Sequence, residues 1–244
     1  MVQGVLQTMT TNNAQIRPSW RRSLAALFAI SLGLLTALLS PKAEARPETI
    51  MLYGDSLTAA HGLSRNEGYP ALIQQKIEAA GLASDYVVQA SAISGETSAG
   101  GLNRIKWSLA GLERSQQKLG VFMLALGAND GLRGQSINAM KANLQGILDL
   151  VKEKHPDARL IVAGMFMPPN MGDDYRARFS ATFDELAEAN HATLIPFLLE
   201  GVAGNRELNL PDGIHPNAKG QQVIADNLWV ILEPMLEEPV MLQP

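Results

Sequence analysis

The sequence predicts a three-layer α/β/α domain, with one parallel sheet between two layers of helices, over residues 46–244. Two observations support this fold class. Short runs that are apolar at every position alternate with longer segments whose apolar residues recur at helical spacing. Strands that are apolar throughout need cover on both faces, and helical crossovers between them imply that the strands run parallel. Because no internal repeat or low-complexity linker interrupts the alternation, we expect one domain.

Three strands and two helices are predicted in the first half of the domain. Residues 49–53 and 121–126 are apolar throughout, which is typical of buried strands, and a further strand is predicted over 86–90. Residues 69–80 place apolar side chains at helical spacing before a glycine that suits a C-cap. A second helix is predicted over 102–112.

The second half continues the alternation. Six apolar residues between positions 137 and 151 line one face of a long helix. This helix is predicted to end at His155-Pro156, because proline disfavours helix in the residue before it. The remaining predicted elements are a strand over 160–165, a helix over 175–190, a short strand over 192–195 and a closing helix over 220–232.

The N-terminal segment has the three parts of a secretory signal. Arginines at positions 17, 21 and 22 precede an apolar run over 24–39, and small residues lead to Ala45. We predict a signal peptide over residues 1–45 that is cleaved after Ala45, with an uncleaved anchor as the alternative. The run is short for a membrane span, which needs about 20 apolar residues. The sequence therefore predicts a periplasmic or secreted protein without stable membrane insertion after signal removal.

The amino-acid composition limits the classes of protein and of partner that the mature chain fits. Hydrophobic residues make up 46% and charged residues 18%, which excludes a disordered protein. Removal of residues 1–45 leaves 16 basic and 23 acidic residues, so the surface repels phosphate backbones and nucleic acid is an unexpected partner. The chain has no cysteine, which rules out disulfides, thiolate metal sites and a cysteine nucleophile. It also lacks an H-E-x-x-H motif and a glycine-rich phosphate loop.

Three polar segments lie at strand ends or near the C-terminus, and each could supply part of acyl-transfer chemistry. In G-D-S-L, Ser56 follows the first strand in a strand-to-helix turn, so that the amide at the start of the next helix could face an oxyanion. In G-A-N-D, Asn129 follows the third strand with a side-chain amide donor. In D-G-I-H, only two residues separate Asp212 from His215. Each segment alone also fits an ordinary turn, a helix cap or a surface histidine.

Together with Gly95 in S-G-E-T, these segments occur in the order of the four blocks of the GDSL, or SGNH, hydrolases. The chain is similar to that family over almost all of its length after Ala45. It resembles in particular the branch of periplasmic thioesterase I/protease I/lysophospholipases and bacterial arylesterases. The resemblance implies a flavodoxin-like sheet with strand order 2-1-3-4-5, in which the first and third strands are neighbours.

The resemblance also implies a role for each site residue. Ser56 is the nucleophile, His215 the general base and then acid, and Asp212 holds the imidazole. The backbone amides of Ser56 and Gly95, with the side chain of Asn129, form the oxyanion hole. No metal or organic cofactor is expected, because water hydrolyses the acyl-enzyme.

Some positions depart from the family's common pattern. Ala60-His61 replaces the usual Gly-Tyr after the serine block, and Ala128 stands where glycine is frequent. Neither removes a catalytic group, but His61 changes a hydrogen-bonding ring near the pocket and with it the expected substrate preference. The resemblance implies that the methionine-rich segment 165–171 forms a mobile apolar loop beside the acyl pocket, with an ordinary hydrophobic loop as the alternative.

The expected activity is that of a serine esterase or thioesterase. Its partner would be a small-molecule acyl substrate, such as an aryl ester, an acyl-CoA thioester or a lysophospholipid. Two alternatives stay open, a carbohydrate O-acetylesterase and a non-catalytic binding domain of the same fold. The intact Ser56, Asp212 and His215 argue against the second.

Overall fold

The computed structural model describes residues 46–237. The predicted signal peptide over residues 1–45 lies outside the described residues, as do residues 238–244. Within the described part, strands and helices alternate in the order that the sequence predicts.

Five parallel strands form one sheet with the order β2-β1-β3-β4-β5, which confirms the expected topology. All seven residues of β3 are buried, as are six of the seven in β1, so the two apolar runs form the centre of the sheet. The edge strand β2 is mostly half-buried. The strands are β1 Glu48–Gly54, β2 Tyr86–Ala92, β3 Leu119–Ala125, β4 Arg159–Ala163 and β5 Thr193–Ile195.

The helices pack in two groups: α4 contacts both α2 and α5, and α1 contacts α6. The helices are α1 Tyr69–Ala79, α2 Ser98–Ser115, α3 Ala128–Leu132, α4 Ile137–Lys154, α5 Asp173–Ala189 and α6 Ala218–Glu237. The five predicted helices are all present, whereas the short α3 was not predicted. Helix α2 begins four residues earlier than predicted, because the Thr97 side chain accepts a hydrogen bond from the Gly100 amide and caps its N-terminus.

The neighbouring ends of β1 and β3 position the functional segments. Gly54 at the end of β1 pairs with Ala125 at the end of β3, so the chain leaves both strands at one edge of the sheet. A β-carbon on Gly54 would lie 2.0 Å from the Thr58 hydroxyl oxygen and 3.0 Å from the Ala125 carbonyl oxygen. Only glycine therefore allows the following turn to fold back this closely.

Candidate active site

The structure brings Ser56, His215 and Asp212 into a continuous hydrogen-bonded chain. His215 Nε2 lies 3.0 Å from Ser56 Oγ, although the two residues are 159 positions apart. On the other side of the ring, His215 Nδ1 lies 2.8 Å from Asp212 Oδ2. The carboxylate can only accept, so the neutral ring carries its proton on Nδ1 and leaves Nε2 free to accept from the serine hydroxyl.

Hydrogen bonds within the loop that carries Asp212 and His215 hold its conformation. Asp212 Oδ1 accepts hydrogen bonds from the backbone amides of Ile214 and His215, at 2.9 and 3.0 Å. The Leu210 amide in turn donates to the His215 carbonyl oxygen at 2.7 Å. The backbone and ring hydrogen bonds from His215, with that from Ile214, hold the pKa of Asp212 well below its usual range. Asp212 therefore stays ionised at any ordinary pH and keeps one orientation toward the ring.

A series of turns holds Ser56, where the sequence predicted a strand-to-helix turn. The Ala59 amide donates to the Asp55 carbonyl oxygen at 2.9 Å, and the His61 amide donates to the Ser56 carbonyl oxygen at 3.0 Å. Helix α1 begins at Tyr69, as the sequence predicts, so turns separate Ser56 from the start of the next helix. An oxyanion here would meet the amides of a turn, without a helix terminus behind them.

Asn129 lies between the serine turn and the Gly95-Glu96 turn. Its side-chain nitrogen donates to Asp55 Oδ2 and to the Glu96 carbonyl oxygen, each at 3.1 Å. Within the described residues, the backbone amides of Ser56 and Gly95 donate no hydrogen bond. Asn129 thus contacts the residues next to both Ser56 and Gly95, and its own side-chain donors are already engaged.

Asp55 is a buried carboxyl group whose importance the sequence reasoning missed. It is only 1% exposed, and it accepts hydrogen bonds from the Leu57 amide and from the Asn129 side chain. Burial raises its pKa to about 6, although these hydrogen bonds act in the opposite direction. The available signal in the sequence was the position of Asp55, an acidic residue between a predicted buried strand and Ser56.

Two buried polar contacts brace the loop that carries Gly95. Glu96 and Arg104 form an ion pair at 2.5 Å, with side chains only 6% and 18% exposed. Asp130 accepts hydrogen bonds from the amide and the hydroxyl of Ser98, at 2.8 and 2.6 Å. The first contact ties the loop to α2, and the second ties the start of α2, directly after the loop, to α3. None of these residues was singled out from the sequence as a supporting group.

An apolar cavity of about 610 Å³ opens beside Ser56. Phe166 and Phe197 form one wall, where their rings stack with centroids 4.6 Å apart. Residues 165–169 of the methionine-rich segment contribute to the lining. The other apolar side chains along the cavity include Leu132, Met165, Met167, Pro168, Leu199 and Ile214.

Residues 46–237 contain neither a metal-binding cluster nor a membrane-spanning helix. No three His, Asp or Glu side chains in this part of the chain are grouped as a metal site requires. No helix within the same residues has the length and apolar character to cross a membrane.

Comparisons with known proteins show the family of the chain. The model of the GDSL-like lipase/acylhydrolase family matches residues 52–223. Esterase TesA of Pseudomonas aeruginosa is 36% identical over 88% of this chain and 100% of its own length. Thioesterase 1/protease 1/lysophospholipase L1 of Escherichia coli K12 is 36% identical over 83% and 91%. The structure of esterase EstA from Pseudoalteromonas sp., inhibited by monoethylphosphonate, superposes with a TM-score of 0.70 at 34% identity, over 78% of this chain and all of EstA. The chain therefore belongs to the GDSL-like lipase/acylhydrolase family of ester hydrolases.

Proposed function

We propose that this protein hydrolyses small carboxylic esters and thioesters through an acyl intermediate on Ser56. Substrates of this class include aryl esters, acyl-CoA thioesters or lysophospholipids. The observation that carries the proposal is the hydrogen-bonded chain from Asp212 through His215 to Ser56, at the mouth of an apolar cavity. The names of the relatives, an esterase and a thioesterase/lysophospholipase, support the same substrate class.

Acylation begins when Ser56 Oγ attacks the carbonyl carbon of the substrate. His215 Nε2 accepts the hydroxyl proton as the new bond forms, because a serine hydroxyl is a weak nucleophile at neutral pH. The resulting imidazolium is stabilised by the Asp212 carboxylate. When the tetrahedral intermediate collapses, Nε2 returns the proton to the departing oxygen or sulfur atom. Water then repeats the sequence on the acyl-serine, with His215 as its base.

Negative charge on the former carbonyl oxygen is stabilised by three donors. These are the backbone amides of Ser56 and Gly95 and the side-chain amide of Asn129. Neither backbone amide donates to another protein group among the described residues, which leaves both available to the oxygen. The Asn129 side chain must give up one of its two present acceptors to join them.

The cavity beside Ser56 receives the acyl chain. The cavity is lined by apolar side chains, and its volume of about 610 Å³ exceeds what an acetyl group fills. Both properties favour longer acyl chains over a carbohydrate O-acetyl group. The stacked Phe166 and Phe197 rings offer a flat apolar wall for such a chain.

We further propose that the mature protein acts in the periplasm or outside the cell. The support is the sequence of residues 1–45, with its basic start, apolar run and small residues before the cleavage point after Ala45. Expression of the full chain, followed by N-terminal sequencing of the exported protein, tests this. A mature N-terminus at Arg46 is expected, and retention of residues 1–45 on a cytoplasmic product contradicts it.

Covalent labelling with a fluorophosphonate tests the catalytic proposal directly. The wild-type protein is expected to label at Ser56, and the Ser56→Ala variant is expected to stay unlabelled with an unchanged circular dichroism spectrum. Hydrolysis of p-nitrophenyl esters from acetate to decanoate then reports which acyl length the cavity prefers. Folded wild-type protein that neither labels nor turns over any of these esters would instead indicate a binding domain.

A further inference from the structure

A second imidazole packs against the ring of His215. The ring centroids of His61 and His215 lie 4.3 Å apart at an angle of 40°. His61 Nδ1 also lies 3.4 Å from the Ser94 hydroxyl, at the entrance of the loop that carries Gly95. His61 and Ser94 are both exposed, so a bound molecule can reach their polar atoms.

The backbone holds His61 in this place by an uncommon conformation. Ala60 has a φ of +55°, in the left-handed region that a residue with a β-carbon seldom occupies. The turn is fixed by hydrogen bonds from the His61 amide to the Ser56 carbonyl oxygen and from the Leu63 amide to the Ala60 carbonyl oxygen, both 3.0 Å long. Ala60 is itself buried. The position of the His61 ring is therefore tied to the serine turn.

Tetrahedral geometry assigns a direction to each group on the attacked carbon. Apart from the bond to Ser56 Oγ, the carbon carries an oxyanion, an acyl chain and a leaving group. The oxyanion points to the Gly95 and Asn129 donors, and the acyl chain enters the apolar cavity. The leaving atom must stay within hydrogen-bonding distance of His215 Nε2, which returns its proton. Among the described residues, neither His61 nor Ser94 lines the cavity, whereas the His61 ring packs against His215, the group that protonates the leaving atom.

We propose that His61 and Ser94 form the leaving-group side of the active site, and that His61 favours leaving groups with hydrogen-bonding oxygen atoms, such as a glycerol moiety. This inference rests on the proposed ester hydrolysis at Ser56. An imidazole offers one donor and one acceptor, and the Ser94 hydroxyl offers both. The Arg133 guanidinium, which donates to the Gly95 carbonyl oxygen at 3.0 Å, adds further donors beside the same loop.

Two esters of butyric acid distinguish a leaving-group role of His61 from its other possible roles. Glycerol 1-butyrate and p-nitrophenyl butyrate share the acyl group and differ only in the leaving group, and kcat/KM reports the acylation step in which that group departs. His61→Phe keeps an aromatic ring against His215 but removes both nitrogens, whereas His61→Ala removes the ring as well. We expect His61→Phe to lower the ratio of kcat/KM for the glycerol ester to that for the aryl ester by about 5- to 10-fold, the effect of one lost hydrogen bond.

Two control variants sharpen the comparison. His191→Phe replaces an exposed histidine just before β5, at the opposite edge of the sheet, and is expected to keep the wild-type ratio. Phe166→Ala, on the cavity side, is expected to change the ratio between p-nitrophenyl octanoate and butyrate while it keeps the leaving-group ratio.

The outcomes are distinguishable. Equal losses on both butyrates in His61→Phe and His61→Ala would mean that His61 only positions His215, and this result overturns the proposal. An unchanged ratio in His61→Phe overturns it as well. Absence of fluorophosphonate labelling at Ser56 in the wild-type protein would instead contradict the proposed function, independently of His61.

Discussion

Replacement of Asn129 by Ala isolates one of the three proposed oxyanion donors. The other two donors are backbone amides, which the substitution leaves in place. Loss of one donor typically lowers kcat by about 10²–10³, or ~2.7–4 kcal/mol of transition-state stabilisation. The same change removes the hydrogen bonds to Asp55 Oδ2 and to the Glu96 carbonyl oxygen. Each acceptor left unpaired costs about 1–3 kcal/mol, so the variant is expected to fold with a lower Tm.

The assay must separate this loss of catalysis from the loss of stability. We suggest kcat and KM with p-nitrophenyl butyrate, measured beside thermal unfolding followed by circular dichroism. Asn143→Ala is the matched control, because its side-chain amide donates to the Ser98 hydroxyl at 3.0 Å in the same supporting network, away from the substrate. It is expected to lower the Tm and to keep most of the turnover. Folded Asn129→Ala protein with kcat close to that of the wild type would refute the role, as would an equal loss in Asn143→Ala.

Three further changes have defined expectations. Asp212→Asn is expected to lower kcat by roughly 10²-fold, less than the ~10⁴ typical of a buried triad aspartate, because the Asp212 side chain is 41% exposed; an unchanged kcat would contradict its role. Burial raises the pKa of Asp55 from 3.8 to about 6. Between these two pH values, the Asp55 carboxyl is therefore protonated in the folded state and ionised in the unfolded state. Stability therefore falls as the pH rises through this window, by up to about 3 kcal/mol, and urea unfolding at pH 4 and 7 should show a smaller fall for Asp55→Asn. Gln116 is exposed with a φ of +53°, so Gln116→Gly should relieve strain and raise the Tm by a few degrees, whereas a lower Tm would refute that reasoning.

The strands and long helices were predictable because their patterns are local. Strands β1 and β3 each contain a continuous run of apolar residues, which is typical of buried central strands. The end of helix α4 was predictable because the proline in His155-Pro156 marks it in the sequence. The short α3 was missed, since five residues that include Asn129 and Gly131 show no helical period.

The proposed site could be predicted as a set of residues but not as a network. Ser56, Asn129 and His215 lie in motifs that a sequence displays. The partners of those residues depend on tertiary contacts: Asn129 meets Asp55 across 74 positions, and the Glu96 carbonyl oxygen across 33. Nothing local indicates that Arg104, one of several polar residues on α2, would form a buried ion pair with Glu96. These polar residues stabilise the site because they are buried, and burial depends on the tertiary fold.

The engagement of Asn129 in the free protein has a consequence for catalysis. Its two amide hydrogens point to a carboxyl oxygen of Asp55 and to the neutral carbonyl oxygen of Glu96. A substrate carbonyl is also neutral and gains little by displacing Glu96, whereas hydrogen bonds to an ionised acceptor are roughly twice as strong as neutral ones. The donor should therefore turn to the substrate only as negative charge develops on the attacked oxygen. An interaction that strengthens only in the transition state raises kcat without tightening ground-state binding, so Asn129→Ala should change kcat far more than KM.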